Sequence, residues 1–488
     1  MSELDLIITN VQAVLPGQAE AQAVDLGIKD GKFARIEANL DPALATVVVD
    51  GGGKIAFPGV VDGHQHWGIY NPLPTDVATE SRACAQGGVT TSLSYMRTGQ
   101  YYLNKGGAYA DFFPEVLEQT AGNALVDYAY HLAPMSKAQI AEIPSLVKDH
   151  GVTSFKCFMF YGSYGLHGRS EDQSKFLMTP EGERYDYAHF EFVMRGVQKA
   201  REENPEIADQ ISLSLHCETA EIMAAYTKMV EEEGTLTGLP AYSASRPPHS
   251  EGLAVTIASY LAHETKLPTI NLLHLTSRKA VEAALTMAAA FPHINFRREV
   301  TVGHLLADCD TAHGVGGKVN PPLRPREDVE ALWQYLIDGK IDWVVSDHAC
   351  CKEELKFGEP KDDVFLAKSG FGGAEYLLAG MVSEGTKRGV SLGRIAELCA
   401  TNTAERYGLG GRKGAIKVGL DADIALVDVN QTWTVRAEDS ESTQEYTPFE
   451  GAELTAKVTD TFLRGTQILT DGVVTDAAPA GEYLKRPF

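Results

Sequence analysis

The chain has 488 residues, with 43 Lys and Arg against 66 Asp and Glu, and its net charge of −23 repels nucleic acid and anionic membrane surfaces. It is long enough to bury a large core, and seven cysteines, an odd number in a chain with no secretory start, argue against a disulfide framework. No run reaches the roughly 18 apolar residues of a membrane span, and MSELDLIITN has neither a basic start nor a cleavage pattern, so a cytoplasmic enzyme acting on small molecules is the expectation.

In chain order, LDLIITNVQAVL and DLGIKDGKFARIEANL alternate as antiparallel strands do. Eight β-like runs then alternate with helical stretches: IAFPGVVDGHQHW, GVTTSLSYM, LVDYAYHLAP, GVTSFKCFMFY, ISLSLHCE, TINLLHLTS, INFRREVTV and IDWVVSDHA. Strands alternating with helices imply βαβ units and a parallel sheet, and eight of them suggest a closed (β/α)8 barrel. From about residue 412 the chain returns to short alternating runs, interrupted by the acidic, polar RAEDSESTQEYTPFEGAE, which reads as a mobile or partner-contacting extension.

His64 and His66 lie two apart on a strand, so they share one face while Gln65 takes the other. Two imidazoles on one face suit Zn²⁺, although such a pair alone is a weak signal. Lys156, His216, His274 and Asp347 each fall at or near the end of a later run, where a barrel of this kind carries its chemistry. Together the six can hold two divalent metal ions. By strand alternation Cys157 and Cys217 point away from them; Cys350 and Cys351 follow Asp347 on a loop and read as inert thiols. GGGK at 51–54 and GLGGRKG at 408–414 lack the context of phosphate-binding loops and read as turn glycines.

DGHQH, the lysine of SFKCFMFY, HCE, HLTS and SDHA, in this order, resemble the cyclic amidohydrolases of the amidohydrolase superfamily: hydantoinases and dihydropyrimidinases, allantoinases and dihydroorotases. The resemblance spans nearly the whole chain, through GGGKIAFPGVVDGH, KVNPPLR at 318–324, GAIKVGLDADIALVD at 414–428, TPFEGAEL and DTFLRGTQILTDG. It implies an α/β protein with a TIM-type (β/α)8 barrel at residues 58–411 and a small β-sandwich joining the two chain ends, 1–57 and 412–488. It also implies that His64 and His66 bind the more buried metal and His216 and His274 the more exposed one. A lysine of ordinary pKa, about 10.4, cannot ligate a cation; in this family the residue matching Lys156 is carboxylated, and its carbamate bridges the two ions. Asp347 would ligate a metal and serve as general base to a metal-bridging hydroxide that attacks the ring amide, and Tyr161 would hydrogen-bond the developing oxyanion. Zn²⁺ suits the ligand set best, with Mn²⁺, Co²⁺ or Fe²⁺ as alternatives. A dimer or tetramer is implied too.

The resemblance blurs at the substrate. Dihydroorotases grip a carboxylate with an arginine and an asparagine where this chain has Gly68 and Arg97, so plain dihydroorotase activity is not expected, and Arg97 is left as a candidate cation for an acidic substrate. Hydantoinases hold the ring amide with the main chain of a serine before PPLR and of a later asparagine; Asn320 and Ser369 stand there. His304, in REVTVGHLL, resembles an allantoinase position and reads equally as structural. The aromatic, Gly-rich stretches 67–74, 98–102 and 160–170 suggest a pocket for a flat or aryl-bearing ring. Two rivals stay open: a catalytically silent dihydropyrimidinase-like binding or assembly protein, and a hydrolase or deaminase of the superfamily acting on a non-cyclic amide or a base.

Overall fold

A computed structural model of the protein describes residues 3–159 and 182–487. Its strands run from β1 (Leu4–Ala13), β2 (Gln22–Lys29), β3 (Lys32–Glu37), β4 (Ala45–Asp50) and β5 (Ile55–Pro58) into a second set. That set is β6 (Val60–Gln65), β7 (Val89–Arg97), β8 (Asp127–Ala133), β9 (Ser154–Phe158), β10 (Ser212–His216), β11 (Thr269–Leu272), β12 (Asn295–Thr301) and β13 (Trp343–Val345). The chain ends with β14 (Ile424–Asp428), β15 (Trp433–Thr434), β16 (Glu453–Leu454), β17 (Lys457–Leu463), β18 (Thr466–Thr470) and β19 (Val473–Val474).

Strands β6 to β13 pair in sequence order into one eight-stranded parallel sheet. It closes where Gln65 bridges His348 and the His66 N–H donates to the His348 carbonyl at 2.8 Å. These strands are buried on both faces, which is why they read as apolar runs; all nine residues of β7 are buried. Helices follow the strands and cover the sheet. In Arg278–Ala290 the buried Ala280, Val281 and Ala284 recur at helical spacing, and the Ser277 hydroxyl caps the start by accepting from the Ala280 N–H at 3.2 Å. The barrel expectation is borne out.

The two chain ends share the other large sheet. Strand β5 pairs antiparallel with β14, placing Phe57 opposite Ala425 and Pro58 opposite Ile424. A core that draws Leu6, Ile8 and Ile28 from one end and Ile424, Leu426 and Phe462 from the other supports it. The run IAFPGVVDGHQHW is therefore two strands, broken at Gly59, with β5 in the outer sheet and β6 in the barrel. Glycine is required at that crossing, because a Cβ would lie 2.2 Å from Thr90 Oγ1 and 2.8 Å from Asp423 Cβ.

The acidic segment at 436–453 corrects an expectation, since it packs against the barrel. Arg82 meets Glu441 at 2.8 Å, the Ser442 hydroxyl donates to Glu80 at 2.6 Å, and the Gly372 N–H donates to Gln444 at 2.7 Å. Its polarity is spent on partners that local sequence does not reveal. The last residues close the bottom of the barrel, where Leu484 joins Val61, Leu93 and Trp343 in a small core and the Arg486 guanidinium donates to Ser154 Oγ at 2.8 Å.

Candidate metal centre and active site

All six candidate residues sit at the C-terminal ends of barrel strands, and five of them (His66, Lys156, His216, His274 and Asp347) line one small cavity. His64 lies directly behind it. Its Nε2 is 3.1 Å from Asp347 Oδ1 and 3.0 Å from Lys156 Nζ, and His66 Nε2 is 3.3 Å from the same Asp347 oxygen. His64, His66 and Asp347 thus offer three ligand atoms around a single point. The His216 and His274 rings meet edge to face at 4.3 Å, and the His64 and His274 centroids are 5.4 Å apart.

Two of the six carry positive φ, +30° at His274 and +54° at Asp347, a conformation that costs a non-glycine residue on the order of 1–3 kcal/mol and persists only where the surroundings impose it. At Asp347 the neighbouring His348 supplies the constraint. Its Nε2 is 2.8 Å from Glu80, and its Nδ1 accepts from the Gly373 and Ala374 N–H groups at 3.1 and 3.2 Å.

Electrostatics prepare the donor set for a cation. Burial holds His64, His66 and His274 well below the ordinary imidazole value and His216 down at about 4, so all four are neutral at pH 7, the form that ligates metal. Burial also brings the Lys156 ammonium down to about 7, against the pull of Asp347 and Glu299. Near neutral pH much of this lysine is free amine, the form that reacts with CO₂. Among the described residues His274 Nδ1 is buried without a hydrogen-bond partner. Neutral imidazoles, a carboxylate and an orphaned ring nitrogen fit a metal centre.

Three of the four histidines, His64, His66 and His216, are oriented from behind, as metal ligands are. His64 Nδ1 lies 2.8 Å from Glu299, which also accepts from the His274 N–H at 3.1 Å and from Trp343 Nε1 at 2.9 Å. His216 Nε2 lies 2.8 Å from Glu218, itself 3.0 Å from the Arg246 guanidinium. His66 Nδ1 lies 2.6 Å from the Tyr102 hydroxyl. Sequence reasoning missed Glu299, Tyr102 and Arg246. Glu299 did carry a signal, being a carboxylate near the C-terminal end of a barrel strand.

Asn320 and Ser369 line the cavity beside the ligands, and Ser369 Oγ donates to Asn320 Oδ1 at 3.2 Å. Arg97 is buried one layer back, its guanidinium 5.4 Å over the Tyr102 ring, and is not among the described residues that line the cavity. Tyr161 and the stretch 160–170 lie outside the described residues. His304 is buried, 2.7 Å from the Thr301 hydroxyl and 3.0 Å from the Pro321 carbonyl, and stays off the cavity wall. All seven cysteines are free and buried; burial pushes the Cys350 thiol up and Cys351 up to about 12, which leaves both unreactive. A larger cavity, about 240 Å³, opens beside Glu375, Trp433 and Arg436 and holds none of the six.

The Amidohydrolase family profile matches residues 186–468, more than half of the chain. The chain belongs to the amidohydrolase family. Among curated amidohydrolase relatives, the allantoinase of Salmonella choleraesuis is 30% identical over 493 residues, covering 98% of each chain. Among solved structures, a D-hydantoinase superposes with a TM-score of 0.85 at 25% identity, covering 99% of each chain. The L-hydantoinase (dihydropyrimidinase) from Arthrobacter aurescens gives 0.84 at 26%, covering 99% of this amidohydrolase and 100% of that one.

Proposed function

We propose that this amidohydrolase opens the ring amide of a small cyclic amide (a hydantoin, dihydropyrimidine, allantoin or related lactam or imide) by hydrolysis at a centre of two divalent metal ions. The observation that carries this reading is the convergence of three neutral imidazoles, a lysine lowered to about 7 and Asp347 on one cavity at the strand ends, with a fourth neutral imidazole, His64, directly behind it. The allantoinase and hydantoinase relatives support the substrate class.

His64 and His66 would hold one ion with Asp347, and His216 and His274 the other, and Lys156, carboxylated on Nζ, would supply a carbamate carrying one shared negative charge. Zn²⁺ suits these ligands best, with Mn²⁺, Co²⁺ or Fe²⁺ as alternatives. Two such ions supply an activated water at neutral pH and a Lewis acid for the amide carbonyl.

The protein's own groups do the rest. Asp347 takes the proton of the attacking water and passes it to the leaving ring nitrogen, which stays tethered to the product. The main chain at Asn320 and Ser369 holds the ring amide, and Tyr161 donates to the developing oxyanion. Arg97, behind Tyr102 and off the cavity wall, would act on an acidic substituent only through that ring. No helix among the described residues is long and apolar enough to cross a membrane, in keeping with a cytoplasmic enzyme. Assembly as a dimer or tetramer follows from the resemblance and is tested by light scattering.

The experiment is to supply protein reconstituted with Zn²⁺ and bicarbonate with hydantoin, 5-phenylhydantoin, dihydrouracil, allantoin, dihydroorotate and succinimide, and to follow ring opening by mass spectrometry. Turnover of at least one ring, lost in both Lys156→Ala and Asp347→Asn, supports the reading. Silence on all six with two metals bound leaves the binuclear hydrolase standing and moves its substrate outside the usual purine and pyrimidine rings, and a protein that binds no metal is the silent assembly protein instead.

A further inference from the structure

Four consecutive non-glycine residues, Tyr101, Tyr102, Leu103 and Asn104, have φ of +66°, +47°, +71° and +52°. A left-handed turn of L-residues is strained at every position, since each Cβ crowds the following carbonyl, and it survives only where surrounding contacts impose it. Here those contacts lead to the metal side of the barrel. The Tyr102 N–H donates to the Gly68 carbonyl at 3.1 Å, and the Tyr102 hydroxyl lies 2.6 Å from His66 Nδ1, so one residue is latched twice onto the segment that leaves β6. The Tyr101 ring packs edge-on against Tyr70 at 5.4 Å, and the Tyr102 ring is 2% exposed beneath the Arg97 guanidinium.

We infer that Tyr102 is the positioning residue for His66, and that the left-handed turn exists to hold its phenol oxygen on His66 Nδ1. This rests on the proposed metal centre and deepens it. His66 Nε2 faces Asp347 and must keep its lone pair to ligate, so the ring proton resides on Nδ1 and the phenol oxygen accepts it. His64 and His216 have carboxylates, Glu299 and Glu218, in the corresponding role. A neutral phenol at His66 accepts the Nδ1 proton without adding a further anion beside Glu299, Glu218 and Asp347. Because Tyr102 also lines the cavity, the same turn sets both the ligand's orientation and the wall beside it.

Tyr102→Phe keeps the ring and removes only the acceptor. Its full-length metal-free protein is compared with wild type by thermal melting, by chelator competition for Zn²⁺, and by the visible d–d spectrum after loading with Co²⁺. The expected result is a melting temperature no more than a few degrees below wild type, from the buried donor left without its acceptor, a 10- to 100-fold weaker affinity for one of the two ions, and an altered Co²⁺ spectrum. Wild-type affinity for both ions together with a wild-type Co²⁺ spectrum in Tyr102→Phe overturns the inference while leaving the metal centre standing. A wild-type protein that takes up neither Zn²⁺ nor Co²⁺ overturns the proposed function, and this assignment with it.

Discussion

Glu299→Gln isolates the support behind the metal side of the barrel. The carboxylate is fully buried and receives three donors, His64 Nδ1 at 2.8 Å and the His274 N–H at 3.1 Å on one oxygen and Trp343 Nε1 at 2.9 Å on the other. Glutamine has the same shape but a single oxygen. Turned toward His64 and His274, it sets its own NH₂ against the Trp343 N–H; turned the other way, it opposes two donors. The first arrangement wins and leaves one buried donor unsatisfied, which costs about 1–3 kcal/mol. Loss of the anionic acceptor on His64 weakens metal binding about 10- to 100-fold, or about 1.4–2.7 kcal/mol. Burial, helped by the nearby Asp347, pushes the Glu299 carboxyl up to about 8 against the hydrogen bonds it receives. A protonated acid would be mimicked well by glutamine, so the substitution also decides between the two forms, and three converging donors favour the carboxylate. Calorimetry of the metal-free variant should show melting a few degrees below wild type, and chelator competition should show the weaker metal affinity. Wild-type values in both assays would refute the carboxylate's role as the anchor of His64.

Further outcomes follow from the same geometry. Lys413 is fully buried against Asp127, Asp421 and Asp423 at 2.5, 2.9 and 2.8 Å, tying the chain-end sheet to the barrel; Lys413→Met leaves Asp423 without its side-chain cation, while Arg464 and Arg412 still meet Asp127 and Asp421, and should cost about 3 kcal/mol, read as faster thermal inactivation. Gly59→Ala should cost about 1–3 kcal/mol through its clash with Thr90, and adding Thr90→Ala should recover part of that loss in melting temperature. His304, buried and held at about 4, binds no proton in the folded state down to that pH, whereas the unfolded chain protonates it from about 6.5. Between those values the unfolded state holds more protons, so the metal-free protein loses stability as pH falls from about 6.5 to 4, by up to about 3 kcal/mol for this residue; a melting temperature flat across that window would contradict a buried neutral imidazole. Zn²⁺ should shift the melting temperature upward above pH 7 and progressively less below it, because the Lys156 amine, held at about 7, no longer reacts with CO₂ once protonated, while the imidazoles stay neutral to lower pH.

Strand alternation and the βα repeat were enough to place His64, His66, Lys156, His216, His274 and Asp347 at one end of a barrel, because the direction of a strand side chain is a local property. The antiparallel chain ends were legible for the same reason. The partners were not. Glu299 stands 235 residues from His64, and its inward carboxylate gains meaning only when the barrel closes and brings β12, five intervening strands away, back beside β6. Tyr102 was legible as an aromatic in a variable loop, yet four consecutive positive φ values bring its hydroxyl to His66, and L-residues adopt them only when tertiary contacts offset the strain. The acidic segment at 436–453 reads as solvated until Glu80, Arg82 and Gly372 meet it. The sequence by itself determined which residues could carry the chemistry and on which rim they stand, since both depend on residue type and strand period. Only the tertiary structure decided which nitrogen of His64 and of His66 faces the cation, since that depends on Glu299 and Tyr102, which the fold brings to them from elsewhere in the chain.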